Sequence, residues 1–178
     1  MRKLLNEELG RLDLDAYKTA RKLPVVVVLD NIRSQNNIGS VFRTADAFRL
    51  DSIMLCGITA TPPSKEIHKT ALGATESVSW IYYERTVDAI RDLKRNDYLI
   101  MSVEQVEGGI MLESLEIDPG KKYAVVLGHE MRGVQQEVVD RSDLSIEIPQ
   151  YGTKHSLNVA VAAGIVIWEM YRKMRRLF

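Results

Sequence analysis

The chain of 178 residues has one cysteine, Cys56, which excludes an internal disulfide and a cysteine-based zinc cluster. Three histidines, His68, His129 and His155, are too scattered to form a metal site, so no metal is expected. No uninterrupted apolar stretch reaches the ~20 residues of a membrane helix. The longest candidate, Val159 to Trp168, is too short. The first residues, Met1-Arg2-Lys3-Leu4-Leu5-Asn6-Glu7-Glu8, put acids where a signal peptide needs an apolar run, so a soluble, cytoplasmic protein is expected. Charge of one sign is also missing: 24 basic residues balance 24 acidic ones. Binding of nucleic acid by bulk electrostatics alone is therefore disfavoured, although a local basic patch is compatible with that balance. Neither Gly-x-Gly-x-x-Gly nor Gly-Lys-Ser/Thr occurs, which argues against a phosphate-binding loop.

What is present is a 46% apolar composition, enough for a core, arranged as alternating strands and helices. Leu4, Leu5, Leu9, Leu12 and Ala16 recur at helical spacing and predict an amphipathic helix over 3–20. Val25 to Leu29 is a continuous β-branched run suited to a strand buried on both faces. Further strands are expected at 53–56, 78–82, 98–103, 123–127 and 144–148, with helices at 38–48, 87–95, 134–139 and 156–176. The alternation predicts a six-stranded, mostly parallel α/β sheet flanked by helices, with an extension over 1–23 and one domain over 24–178. In such sheets ligands bind beyond the carboxyl ends of the strands.

Three segments follow strands. The first is amide-rich: Gln35, Asn36 and Asn37 precede a helix carrying Gly39 and Arg43. Its plain reading is an asparagine helix cap and an exposed arginine. The second, Leu127-Gly128-His129-Glu130-Met131-Arg132-Gly133, brackets an acid with two glycines. Its plain reading is a tight turn with Glu130 near a helix N-terminus. The third, Ile148-Pro149 through Ser156-Leu157-Asn158-Val159, opens the last helix, with Ser156 as its expected cap.

Taken together, in order and spacing, these segments resemble the SpoU-type (TrmH-like) branch of the SPOUT superfamily, the S-adenosylmethionine-dependent RNA ribose 2′-O-methyltransferases. Asn37, Gly39 and Arg43 match the first motif, Gly128, Glu130 and Gly133 the second, and Ile148, Pro149, Ser156, Leu157, Asn158 and Val159 the third. The segment Lys69-Thr70-Ala71-Leu72-Gly73-Ala74 looks like the family's connecting stretch, and the likeness runs from Pro24 to Glu169.

The resemblance implies a deep C-terminal trefoil knot, which no periodicity could give and which general topology disfavours. It also implies a homodimer that shares its active site across the interface. Leu127, Gly128, Gly133, Ile148, Leu157 and Asn158 would hold S-adenosylmethionine, with Leu127, Ile148 and Leu157 sandwiching adenine. Arg43 would act on the ribose hydroxyl, as a base or as an oxyanion donor; its guanidinium pKa above ~12 favours the donor. Asn37, Glu130, Ser156 and Asn158 would fix the arginine, the ribose and the cofactor, with Glu130 as Arg43's expected partner.

RNA is the implied substrate, tRNA favoured over rRNA. Lys18, Arg21 and Lys22, and Arg172, Lys173, Arg175 and Arg176, are candidate RNA contacts, or else solvated helix ends. His129 and His155 flank the motifs without an assigned role. Arg49 stands where the family commonly has glycine; a left-handed residue there costs about 1 kcal/mol. The rival reading is a non-catalytic RNA-binding or assembly protein that retains the fold.

Overall fold

A computed structural model describes residues 1–177. In chain order it contains α1 (Leu14–Thr19), β1 (Leu23–Asp30), α2 (Gln35–Ala47), β2 (Leu50–Cys56), α3 (Lys65–Ala71), α4 (Ala74–Ser77), β3 (Ser79–Tyr83), α5 (Thr86–Arg95), β4 (Tyr98–Val103), β5 (Ile110–Met111), β6 (Lys122–Leu127), α6 (Gln136–Val139), β7 (Leu144–Glu147) and α7 (Val159–Met174). The strands form one sheet in the order β3-β2-β1-β6-β4-β7-β5, every pair parallel.

β1 explains the layering. Val25, Val27 and Leu29 enter the core shared with α2, α3 and α7, while Val26 and Val28 enter the opposite core beneath α5 and α6. Alternate side chains point to opposite faces, so a strand covered on both sides must be apolar at every position. α2 turns Ile38, Val41, Phe42 and Ala45 into the first core at helical spacing. Its Gly39 is needed for space: a Cβ there would lie 2.1 Å from Thr70 Oγ1 and 2.3 Å from the Ile67 carbonyl oxygen, because α3 crosses directly over it.

Several expectations are corrected. The sheet has seven strands rather than six; β5 is a two-residue edge strand on β7, too short to carry a periodicity. The continuous helix over 3–20 is instead a 3₁₀ turn at Asn6–Leu9 and the short α1. Gly10 at φ +58° ends the turn, and Asp13 restarts a helix by accepting the Ala16 amide. Leu4, Leu5, Leu9 and Leu12 stay exposed, so the leucine spacing found no core to face. The last helix begins at Val159, capped by Asn158 rather than Ser156: Asn158 Oδ1 accepts the amides of Ala160 (2.9 Å) and Val161 (3.4 Å). α2 is likewise capped by Ser34, which accepts the Asn37 amide, and by neither asparagine. Arg49 does adopt the left-handed conformation, at φ +49°.

Candidate active site

The carboxyl ends of β6, β4 and β7 open into a cleft of about 290 Å³. Its walls come from the second and third sequence segments: Leu127, Gly128, Glu130 and Gly133 on one side, Ile148, Ser156 and Leu157 on the other. The first segment joins through hydrogen bonds. Glu130 Oε2 accepts the Arg33 amide (3.0 Å), and its Oε1 accepts the Ser34 amide (3.0 Å) and Asn37 Nδ2 (3.1 Å). Asn37 Oδ1 in turn accepts from Asn158 Nδ2 (3.2 Å). The first segment thus meets the second and third, each more than ninety residues further along the chain, through Asn37, Glu130 and Asn158.

Burial raises the Glu130 pKa, but the Arg33 and Ser34 amides and the Asn37 side chain outweigh it and hold the carboxyl below its usual range. A carboxylate facing the amides at the start of α2 is the arrangement that the partial positive charge of a helix N-terminus favours.

Glu130 is therefore not the partner of Arg43. Arg43 is exposed on α2 and makes no hydrogen bond or ion pair among the described residues. The reason is reach: six residues along a helix place Arg43 about 9 Å beyond Asn37 along the axis, while Glu130 is spent on the helix's first turn. Ser156 lines the cleft without capping α7.

The 128–134 turn is closed on itself. The His129 amide donates to the Gly133 carbonyl oxygen (3.0 Å), and the Gly133 amide donates back to the His129 carbonyl oxygen (2.8 Å). A Cβ on Gly128 would lie 2.1 Å from both the Gly133 carbonyl carbon and the Val134 nitrogen, so only glycine fits. Gly133 takes φ +67°. His129 Nδ1 accepts the Met131 amide (3.0 Å), a structural use for a residue without an assigned role.

Two acids that the motifs did not single out fasten this turn. Asp30, fully buried at the end of β1, accepts from Asn31 Nδ2, Thr86 Oγ1, Gln135 Nε2 and the Gln135 amide. Glu104, directly after β4, accepts the amides of Val134 (2.8 Å) and Gln105 (3.1 Å) and lines the cleft. Their signal was position: each is an acid at the carboxyl end of a buried strand.

The other wall is built differently. Among the described residues, the hydrogen bond that reaches residues 149–157 is a long one, from Gln105 Nε2 to the His155 carbonyl oxygen (3.4 Å). Most of its backbone groups thus have no partner among the described residues, and Gln150, His155, Ser156 and Leu157 of this segment line the cleft with the apolar side chains of Leu127 and Ile148. Open amides and carbonyls between apolar walls suit a flat heteroaromatic ring with polar edges.

The comparisons with known proteins agree with this geometry. The model of the SpoU rRNA Methylase family matches residues 24–168. A Staphylococcus saprophyticus protein assigned to the TrmH family of tRNA/rRNA methyltransferases is 30% identical over 165 residues, covering 90% of this chain and 65% of that protein. The chain thus spans just under two thirds of that relative's length. Among solved structures, an AdoMet-bound rRNA methyltransferase from Sinorhizobium meliloti has a TM-score of 0.78 at 29% identity, covering 85% of this chain and 57% of that one. The TrmH/SpoU tRNA modifying enzyme of A. aeolicus has a TM-score of 0.81 at 26% identity, covering 92% and 82%. The matched residues 24–168 contain β1 from its second residue, the cleft and all three segments that meet beside it, and the chain belongs to the SpoU rRNA Methylase family.

Proposed function

We propose that the protein is an S-adenosylmethionine-dependent RNA methyltransferase acting on a ribose 2′-hydroxyl, with tRNA favoured over rRNA. The observation that carries this reading is the junction of Asn37, Glu130 and Asn158 beside a cleft with apolar walls and open backbone groups. A silent RNA-binding relative would have no need to maintain both. The relatives' descriptions support RNA methylation, and the AdoMet-bound neighbour supports the cofactor.

S-adenosylmethionine would supply a methyl group on a sulfonium, whose carbon–sulfur bond breaks as the ribose oxygen–carbon bond forms, leaving S-adenosylhomocysteine. Leu127, Ile148 and Leu157 would enclose the adenine, and the backbone of 149–157 would meet its polar edge. Gly128 and Gly133 let the opposite wall fold tightly, since a Cβ on Gly128 would strike the turn's own backbone and one on Gly133 would strike Glu104. Glu130 holds Asn37 at the start of α2, and Asn37 holds Asn158, so the acceptor side is fixed relative to the cleft. Arg43 would donate to the ribose oxygen as it gains negative charge, while the hydroxyl proton passes to solvent.

The same reading includes a homodimer and a threaded C-terminal knot. Val161 and Trp168 of α7 are each 52% exposed and Ile165 is 37% exposed, while Val166, Ile167 and Met170 fill the core. A helix apolar on its outer face as well calls for a second copy to cover it. Arg43, without a side-chain partner among the described residues, is then available to a site shared between subunits. The knot is supported by the strand order, in which β7 lies beyond β4 while α7 returns to pack on α2.

Single-turnover methyl transfer to a tRNA or rRNA pool, beside calorimetry with S-adenosylhomocysteine, tests the proposal. Arg43→Ala should lower transfer about 100-fold and leave cofactor affinity within about twofold. Arg43→Lys should rescue poorly, because a point charge does not replace a planar fork. Unchanged turnover in Arg43→Ala would remove Arg43 from the chemistry. Wild-type protein that binds S-adenosylhomocysteine but transfers no methyl group to RNA would favour the non-catalytic reading.

A further inference from the structure

Glu104 is an acid of the cleft whose role no motif assigns. Its carboxylate is held rigidly: Oε2 takes the Val134 amide at 2.8 Å and Oε1 the Gln105 amide at 3.1 Å. It also lies against the turn so closely that a Cβ on Gly133 would come within 2.0 Å of Oε2. An ionised carboxylate has roughly four acceptor positions, so these two amides leave acceptor capacity on a side chain that lines the cleft.

The sheet order fixes where that capacity lies. β4 stands between β6, which ends in Leu127, and β7, which leads to Ile148. Glu104 therefore lies on the floor between the two apolar walls that would grip a base. Asn37 and Glu130 lie to one side, over the end of β1. A nucleoside whose base rests against Ile148 and Leu157, beyond β7, and whose reactive end points toward Asn37, after β1, would carry its sugar over the ends of β4 and β6, where Glu104 lies. A fixed carboxylate beneath a sugar is a selective acceptor for its hydroxyls, the use to which acids are put at strand ends in dinucleotide-binding sheets.

We propose that Glu104 accepts hydrogen bonds from the 2′- and 3′-hydroxyls of the cofactor's own ribose and makes the cleft selective for a ribosyl nucleoside. The inference rests on the S-adenosylmethionine reading above. It makes Glu104 a binding and specificity residue that also sets the 133–134 turn, so that the turn and the sugar share one anchor.

Calorimetry on the full chain tests it, with S-adenosylhomocysteine, its 2′-deoxy and 3′-deoxy analogues, and 5′-methylthioadenosine, which keeps the ribose but lacks the amino-acid tail. Wild type should lose about tenfold in affinity when a hydroxyl is removed. Glu104→Gln retains an acceptor oxygen for the Val134 amide. It should bind S-adenosylhomocysteine and 5′-methylthioadenosine about tenfold more weakly and no longer distinguish ribose from deoxyribose. A merely structural role would leave that discrimination intact. Wild type indifferent to both hydroxyls overturns the inference without any variant. So does a Glu104→Gln protein that still discriminates, or one that loses affinity for S-adenosylhomocysteine alone, which would assign Glu104 to the ammonium of the tail. Wild type that fails to bind S-adenosylhomocysteine at all overturns the cofactor reading and this inference with it.

Discussion

The two walls of the cleft are made by opposite strategies. The 128–135 wall is fastened from three sides: Asp30 holds Gln135, Glu104 holds Val134, and Glu130 ties the turn to Arg33, Ser34 and Asn37. Among the described residues, the 149–157 wall receives one long hydrogen bond, from Gln105, and its Tyr151 is 96% exposed. The first wall is held by folding, since each anchor is a carboxylate that accepts amides of a neighbouring segment. The second is left for a ligand to order, at a cost met from binding energy. Substitutions in the first wall should therefore register in stability, and substitutions in the second in binding alone.

The strongest test of this contrast is Asp30→Ala. Four donors lose a fully buried acceptor, and the expected loss is about 3 kcal/mol in urea denaturation. A loss below about 1 kcal/mol would mean that the turn is held by its own backbone. Next comes Gly128→Ala, whose Cβ collides with backbone atoms of Gly133 and Val134. Opening that turn should cost about 2 kcal/mol and greatly weaken S-adenosylhomocysteine binding, both measurable on one preparation.

A smaller effect is expected from pH. Glu130 titrates below its ordinary range in the folded chain. The stability it contributes is therefore complete above the unfolded carboxyl value, about pH 4.3, and is lost as pH falls through the depressed folded value. Glu130→Gln should flatten that acid limb of the stability curve and leave the slope at neutral pH alone. The smallest effect belongs to the second wall: Tyr151→Ala should shift stability by no more than about 0.5 kcal/mol. In the same region, saturating S-adenosylhomocysteine should protect residues 149–157 from proteolysis more than it protects 128–135. Equal protection of both walls would erase the distinction.

The pattern of the chain carried much of this far. The β1 valine run, the helix expected over 87–95 and the three post-strand segments all reappear in the structure, because each is a local pattern or a turn chemistry. The N-terminal leucines misled for the same reason: Leu4, Leu5, Leu9 and Leu12 have the spacing of a buried helix, but burial requires a partner surface that spacing does not contain. Ser156 has the residue type of a cap, yet α7 starts later and Asn158 caps it through Oδ1, which leaves its Nδ2 to donate to Asn37.

By itself, then, the sequence determined the alternating parallel α/β architecture and the residues from which the cleft is made. A two-faced apolar strand and a glycine-bracketed acid are legible wherever they occur. The tertiary structure alone decided how those residues pair. It gave Glu130 to the amides of α2 instead of to Arg43, Asn158 to Asn37, and the unheralded acids Asp30 and Glu104 to the turn they fasten. Hydrogen bonds between segments ninety or more residues apart depend on which strand ends lie side by side, and that order, β1-β6-β4-β7, is set by packing the whole sheet rather than by any local pattern.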